Sequence, residues 1–336
     1  MSDQASPLPR APAFVAPSRP PARPGPARRD LQLTLGIVTK NRHEPLRRCL
    51  ESLALIGDAI AQVIVIDDTS ESTLDQAVGE APSAIAGKLR LVRQHAHEGY
   101  IVARNRIMRE AATDYVLLMD DDAWLLDGGC IGTALSRIDA CPRIGAVACA
   151  MAGADGTPWD GSLQPAAVNY PCVVPSFIGF AHLLRRHLFL HLGGYREAFH
   201  SYGEEKDYCL RLMDAGFDVV YLPDVRVVHA PHDAGRLYAT YLRRTIRNDC
   251  LTALYNEPFP LPLVTVPIRL LRYRRMRGPV GRDPGGLQWI VRELAGRFPE
   301  VLADRRPVTW ATMRKWRRVR RDLPRTNACE GHKGGV

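Results

Sequence analysis

The sequence predicts an α/β fold: a parallel sheet flanked by helices, followed by a basic, mainly helical C-terminal extension. Three observations carry that expectation. Short apolar runs of strand length alternate with segments of helical spacing. Two of the strands, VIVIDD (63–68) and YVLLMDDD (115–122), stop abruptly at clustered acids. From residue 236 onward the chain carries 22 Lys+Arg against 8 Asp+Glu, a balance of +14, whereas residues 1–235 carry 23 against 28, a balance of −5.

The elements follow in order. Residues 1–30 hold eight Pro and five Arg with few apolar side chains, too little burial to offset the entropy of ordering, and read as a disordered leader. LTLGIVTK (33–40) is a strand, and EPLRRCLESLALI (44–56) spaces Leu46, Leu50, Leu53 and Ile56 as a helix does. AQVIVIDDTS (61–70) is a buried strand; a helix is expected over 71–78, a strand over 89–94 and a helix over 101–112. DYVLLMDDDA (114–123) is a second buried strand ending in acids, followed by a helix over 128–140 and a strand over 144–150. The stretch 152–176, rich in Gly, Pro, Trp and Asn, reads as loops contributing to a substrate site. Residues 176–195 give a strand, a short helix and a Gly-Gly turn. KDYCLRLMDAGF (206–217) is a helix ended by Gly216, and 218–230 supplies two short strands punctuated by Pro223. The domain reading is a leader (1–30), an α/β domain (31–235), a basic helical extension (236–325) and a disordered tail (326–336).

Composition narrows the function classes. A chain of 336 residues with 46% hydrophobic and 24% charged residues has ample material for a core. The eight cysteines never form CxxC, so neither a zinc ribbon nor a disulfide scaffold is indicated, and they read as reduced, buried cytosolic thiols. The start, MSDQASPLPR, lacks an apolar signal core, and the longest apolar runs fall far short of a bilayer span. The expected location is therefore cytoplasmic.

The acids carry the chemistry. Asp120, Asp121 and Asp122 follow a strand too apolar for a surface loop. Alone they could form a solvated turn, with Asp122 or Asp127 capping a helix. Together with Asp67 and Asp68 at another strand end, and GEEKD (203–207), they suit a hard cation such as Mg2+ or Mn2+ that completes its shell with substrate phosphates. In parallel sheets ligands sit beyond the carboxyl ends of the strands, where both acid clusters fall.

From about residue 31 to 229 the sequence resembles the family 2 glycosyltransferases of the GT-A fold. The matching pieces run in the family's order: GIVTKNR, RRCLESL, VIVIDDTS, ARN (103–105), YVLLMDDDA, FIGFAHLLRR, LGGY, GEEKDYCLRL and VVYLPDVRVVH. The resemblance implies a mixed, mostly parallel sheet, and an inverting transfer of a sugar from a nucleotide-diphosphate donor to a hydroxyl acceptor, with Mn2+ or Mg2+ held by a DXD motif. It implies that Thr39, Asn41 and Arg42 lie beside the nucleotide and that Asp67 and Asp68 face the base or ribose. Arg104 and Asn105 match the element near the nucleotide. Asp120 matches the first acid of DXD, toward ribose and metal; Asp121 the variable middle; Asp122 the metal-binding second acid; His229 the histidine that completes the metal shell. Glu205 aligns with the acceptor base, a position where the family more often has Asp, which leaves Glu204 and Asp207 as alternative bases. HAHEGY (95–100) is a second departure, since relatives often carry Asn before the glycine.

Competing readings differ in what they require. A sugar-phosphate nucleotidyltransferase would carry a Gly-rich phosphate loop after the first strand, which TKNRHE is not. A non-catalytic GT-A-like binding protein would have degraded acids, and here they are intact. The extension interleaves Arg with apolar residues in IRLLRYRRMR (268–277) and MRKWRRVRRD (313–322). Those segments are read either as solvated helix faces or as attachment to an anionic membrane on the inner face of the cell membrane, with nucleic acid the weakest option. The donor sugar, nucleobase and acceptor, whether glycan, lipid-linked or small-molecule, are not encoded in these motifs.

Overall fold

The computed structural model describes residues 31–231, 238–276 and 283–325. The leader and terminal tail expected over 1–30 and 326–336 lie outside the described residues. Among the described residues nine strands form one mixed sheet: β1 (Leu33–Thr39), β2 (Ile60–Asp67), β3 (Leu89–Arg93), β4 (Tyr115–Asp120), β5 (Ala123–Leu125), β6 (Ile144–Ala152), β7 (Cys172–Val174), β8 (Ala181–Arg185) and β9 (Asp218–His229). Their order is β3-β2-β1-β4-β8-β6-β9-β5, with β7 also on β9. The first four are parallel; β8 then runs antiparallel between β4 and β6.

The α-helices among the described residues are α1 (His43–Ser52), α2 (Asp75–Gly79), α3 (Ser83–Ala86), α4 (Tyr100–Glu110), α5 (Gly129–Ala140), α6 (Arg186–His191), α7 (Glu204–Asp214), α8 (Tyr238–Asn256), α9 (Leu261–Arg275), α10 (Gly286–Gly296), α11 (Phe298–Asp304) and α12 (Trp310–Asp322). The strands are apolar on both faces because both are covered. Alternate residues of β4 go to opposite sides: Tyr115, Leu117 and Met119 join an apolar cluster with α1 and α5, whereas Val116 and Leu118 join one with α4 and α7. Leu242 and Leu251 of α8, Tyr273 of α9, Ile290 of α10, Val301 of α11 and Trp316 of α12 extend the second cluster, so the helices after residue 238 share its core.

Two readings of the sequence are corrected. The two short strands expected around Pro223 are one strand, β9, whose pairing with β6 slips between Cys149 and Ala150. That bulge absorbs Pro223, which has no N–H to give a regular ladder. Cys49, Cys130, Cys149, Cys172, Cys209 and Cys250 are free and buried as expected, but Cys141 is disulfide-bonded, against the reading of reduced thiols throughout.

Candidate active site

At the carboxyl ends of β1, β2 and β4 the chain leaves a cleft of about 970 Å³. Its floor is set by strand pairing. Val38 of β1 lies opposite Asp120 of β4, and the Asp120 amide donates to the Phe180 carbonyl at 2.8 Å, so the acids end beside residues 178–180. β5 doubles back against β9, with Ala123 opposite His229, and the Ala230 amide donates to the Asp122 carbonyl at 3.0 Å. A histidine 107 positions away in sequence is thereby carried to the acid cluster. Its Nε2 lies 3.5 Å from Asp122 Oδ1, and its ring is flanked by Trp159 (centroids 5.8 Å apart) and Phe180 (5.1 Å).

Asp120, Asp122 and His229 each offer one ligand atom, all within 4.8 Å of one another. Two carboxylate oxygens and an imidazole nitrogen form a donor set suited to Mn2+ or Mg2+, with room left in the cleft for phosphate oxygens. Three adjacent carboxylates also need positive charge nearby. Arg42 donates to Asp121 Oδ1 and Asp122 Oδ2, both at 2.8 Å, and the buried Arg104 donates to Asp120 Oδ1 at 2.6 Å. Burial pushes the Asp121 carboxyl up to about 6, with Arg42 opposing the shift.

The remaining residues expected at the donor site divide. Thr39, Asn41, Arg42, Asp68 and Arg104 line the cleft. Asn41, at φ 56°, accepts from the Glu71 amide at 2.7 Å and gives its own amide to Ser70 Oγ at 2.8 Å, tying the end of β1 to the loop after β2. Asp68 accepts from the amides of Glu98 (3.0 Å) and Gly99 (3.1 Å) and meets His97 Nδ1 at 2.7 Å. The departure HAHEGY is therefore the loop that Asp68 fastens down. Asp67 and Asn105 do not line the cleft. Asp67 accepts from the Ser70 amide at 2.8 Å and closes a turn. Asn105 points into the protein, donating to the Tyr195 carbonyl at 2.8 Å and accepting from the Tyr195 amide at 2.9 Å. The loop 152–176 contributes no lining residue either: Trp159 reaches the site only through His229, and Tyr170 lies under the Arg325 guanidinium.

Three carboxylates of α7 occupy different surroundings. Glu205 lines the cleft. A Cβ at Gly179 would lie 2.5 Å from Glu205 Oε1 and 3.2 Å from Arg104 Nη1, so only glycine lets this carboxylate rest against the cleft floor. Glu204 is fully buried, accepts from Tyr100 Oη at 3.2 Å and pairs with Arg104 at 3.5 Å. Burial raises both carboxyls above the usual carboxylate range, Glu204 furthest, and Arg104 only partly offsets this. Asp207 is buried away from the cleft, where Arg196 (3.2 Å), Arg211 (2.7 Å) and Asn256 Nδ2 (2.6 Å) hold it. Burial alone would raise its pKa, but the two guanidiniums outweigh that and hold it below the ordinary value.

Asp207 thus carries a clear stability prediction. Asp207→Ala should destabilise the protein by about 3 kcal/mol, because it removes a buried carboxylate from two partly buried guanidiniums. A carboxyl with a depressed folded pKa contributes stability above its unfolded pKa and loses it as pH falls. Urea denaturation midpoints across the acid range check this: the wild type should lose stability toward low pH, and the variant should show a smaller part of that loss.

The motifs gave no sign of the support behind Glu205. The loop before α7 has His200, Tyr202 and Gly203 at φ 58°, 69° and 85°. Asn248 of α8, fully buried, donates to the carbonyls of Phe199 (3.1 Å), Ser201 (2.6 Å) and Tyr202 (2.6 Å), and Arg247 donates to Phe199 at 2.7 Å. These bonds offset the cost of left-handed backbone at residues other than glycine. Tyr241, Arg244 and Thr245 of the same helix line the cleft directly.

A mixed sheet with acids at the ends of its parallel strands and a covering helix at its edge is the GT-A class of fold. The solved mannosyltransferase PcManGT from Pyrobaculum calidifontis, in complex with GDP-Man and Mn2+, shares it with a TM-score of 0.56 at 21% identity, over 83% of this chain and 76% of that one. Residues 34–194 match the family described as glycosyl transferase family 2. Among curated proteins of Mycobacterium tuberculosis, it is 30% identical over 231 residues to the pre-mycofactocin glycosyltransferase, covering 65% of this chain and 46% of that protein. It is 27% identical over 257 residues to the N-acetylglucosaminyl-diphospho-decaprenol L-rhamnosyltransferase, covering 62% of this chain and 80% of that protein. The chain therefore spans under half the length of the first relative.

Proposed function

We propose that the protein is an inverting glycosyltransferase that moves a sugar from a nucleotide-diphosphate donor to a hydroxyl acceptor in a single displacement. The observation that carries this reading is one cleft lined by a cation-type donor set, Asp120, Asp122 and His229, together with a carboxylate, Glu205, that has no basic side chain bonded to it among the described residues. Asp120, Asp122 and His229 would hold Mn2+ or Mg2+, which supplies positive charge to the leaving diphosphate. Thr39, Asn41, Arg42 and Asp68 form the wall on which the nucleoside rests.

Glu205 accepts the acceptor hydroxyl's proton as the oxygen attacks the anomeric carbon. A carboxyl raised above its ordinary pKa is the stronger base for that step. Glu204, bonded to Tyr100 and Arg104, keeps Arg104 between the two acid groups and does not reach the cleft. The acceptor class remains broad: glycan, lipid-linked or small-molecule. The proposed location is cytoplasmic, with peripheral attachment to the inner face of the membrane through the basic extension.

The test is a panel of uridine, guanosine and thymidine diphosphate sugars incubated with the full chain and Mn2+ or Mg2+, with released nucleoside diphosphate as the readout. Release from at least one donor, lost with a chelator, is the expected result. No metal-dependent release or binding across the panel would remove the reading.

A further inference from the structure

Helix α9 breaks the ordinary pattern of a surface helix. Its inner face, Pro262, Val266, Leu270 and Tyr273, packs on the core as an amphipathic helix should. Its outer face should then be polar, and it is not. Leu263, Val264, Ile268 and Leu271 leave 45–64% of their surface in solvent, and Phe259 just before the helix leaves 71%. At 100° per residue Val264, Ile268 and Leu271 fall within about 60° of one another opposite the buried face, while Leu263 flanks that face and Phe259 precedes the helix.

The charge at the end of that stripe is one-sided. From residue 258 to 276 there is no Asp or Glu, and the last turn carries Arg272, Arg274 and Arg275. Arg269 is used inside the fold, on the Asp249 carbonyl and on Glu257 at 3.6 Å. Arg272, Arg274 and Arg275 are exposed and have no carboxylate partner among the described residues. The other basic segment, α12, is built differently. Its apolar residues Met313, Trp316 and Val319 are buried, and the one large apolar side chain among its exposed arginines is Trp310 in the first turn, 45% in solvent. No helix among the described residues is long and apolar enough to cross a membrane.

We infer that the outer face of α9 is a membrane-docking surface, with Val264, Ile268 and Leu271 entering the interfacial layer of an anionic bilayer and Arg272, Arg274 and Arg275 meeting its headgroups. An apolar stripe on a helix with a cationic end is the pattern that lies in the plane of such an interface. The inference rests on the proposed peripheral attachment and moves it from the extension as a whole to one helix face. Because α8 lines the cleft and packs against α9, docking here would hold the acceptor side of the enzyme near the bilayer.

The experiment is flotation of the full chain with phosphatidylcholine vesicles and with phosphatidylcholine–phosphatidylglycerol vesicles at low and high salt, no donor being present. Transferase activity therefore does not enter the readout. Wild type should float with the anionic vesicles and less so at high salt. Val264→Ser/Ile268→Ser/Leu271→Ser should lose at least about tenfold in apparent partitioning, and Arg272→Gln/Arg274→Gln/Arg275→Gln several-fold. Arg317→Gln/Arg318→Gln/Arg320→Gln in α12 should stay within about twofold of wild type. Circular dichroism melts of each variant identify a loss due to unfolding. If the α9 variants bind like wild type, or the α12 variant loses as much as they do, the assignment to α9 fails while peripheral attachment stands. If wild type ignores anionic vesicles at low salt, both fail. A dimer in sedimentation that the serine variant dissolves would give the face to a second copy of the chain and overturn the proposal.

Discussion

Glu205→Gln lowers turnover by about two to four orders of magnitude, the range expected when a general base is removed, and leaves nucleoside-diphosphate affinity close to wild type. The split between the two effects follows from position. Glu205 lines the cleft through the close approach allowed by Gly179, whereas the donor's expected contacts, Thr39, Asn41, Arg42 and Asp68, are on the opposite strand ends. Glutamine keeps the shape and loses only the basicity. Because burial raises the Glu204–Glu205 pair, the acid limb of the wild-type pH–rate profile should lie above the ordinary carboxylate range, with activity rising as pH rises through it. Steady-state kinetics across pH, with calorimetric titration of the nucleoside diphosphate, measure both. Glu204→Gln and Asp207→Asn are the controls. If either loses more kcat at equal folded fraction, the base is on that carboxylate instead.

Asp122→Asn abolishes the Mn2+-dependent part of donor binding. Asp122 sits between Arg42 at 2.8 Å and His229 at 3.5 Å, so its carboxylate is shared by a guanidinium and the proposed ligand set. An amide in its place offers the cation a neutral oxygen and leaves Arg42 with Asp121 alone. Hard divalent cations depend on carboxylate charge, so the metal-dependent gain in affinity should vanish while the weak metal-independent binding persists. Asp122 is only 6% exposed, so thermal melts are needed beside the titrations to separate lost fold from lost metal. Unchanged Mn2+ dependence in a folded variant would remove Asp122 from the site.

The sequence made the sheet and the acids legible because both are local. Strand length, apolar runs and terminal acids are visible within ten residues, and the fold places β1, β2 and β4 as those runs required. What stayed hidden depended on phase and on tertiary pairing. Asp67 and Asp68 are neighbours at a strand end and point opposite ways, so one closes a turn and the other faces the cleft. Arg104 and Asn105 are neighbours on α4, about 100° apart, so only one can face the site. The same phase argument separates Glu205 from the buried Glu204 and Asp207. His229 acquires its neighbours through the β5–β9 hairpin-like return, and Asn248 acquires its three carbonyls through packing of α8 against the loop before α7. Neither has a local signature. The basic extension was ambiguous for a related reason: α9 and α12 both interleave Arg with apolar residues, and only their packing shows that α9 leaves Val264, Ile268 and Leu271 outside whereas α12 buries Met313, Trp316 and Val319.

In the proposed mechanism Asp120, Asp122 and His229 hold a divalent cation against a donor diphosphate. Crystals grown with Mn2+ and the nucleoside diphosphate of the preferred donor, measured at the manganese absorption edge, test it most directly. The account predicts one strong anomalous peak within bonding distance of Asp122 and His229, with diphosphate oxygens completing its shell. A nucleoside diphosphate bound in the cleft with Mn2+ held elsewhere, or with no anomalous peak at these three residues, would contradict it.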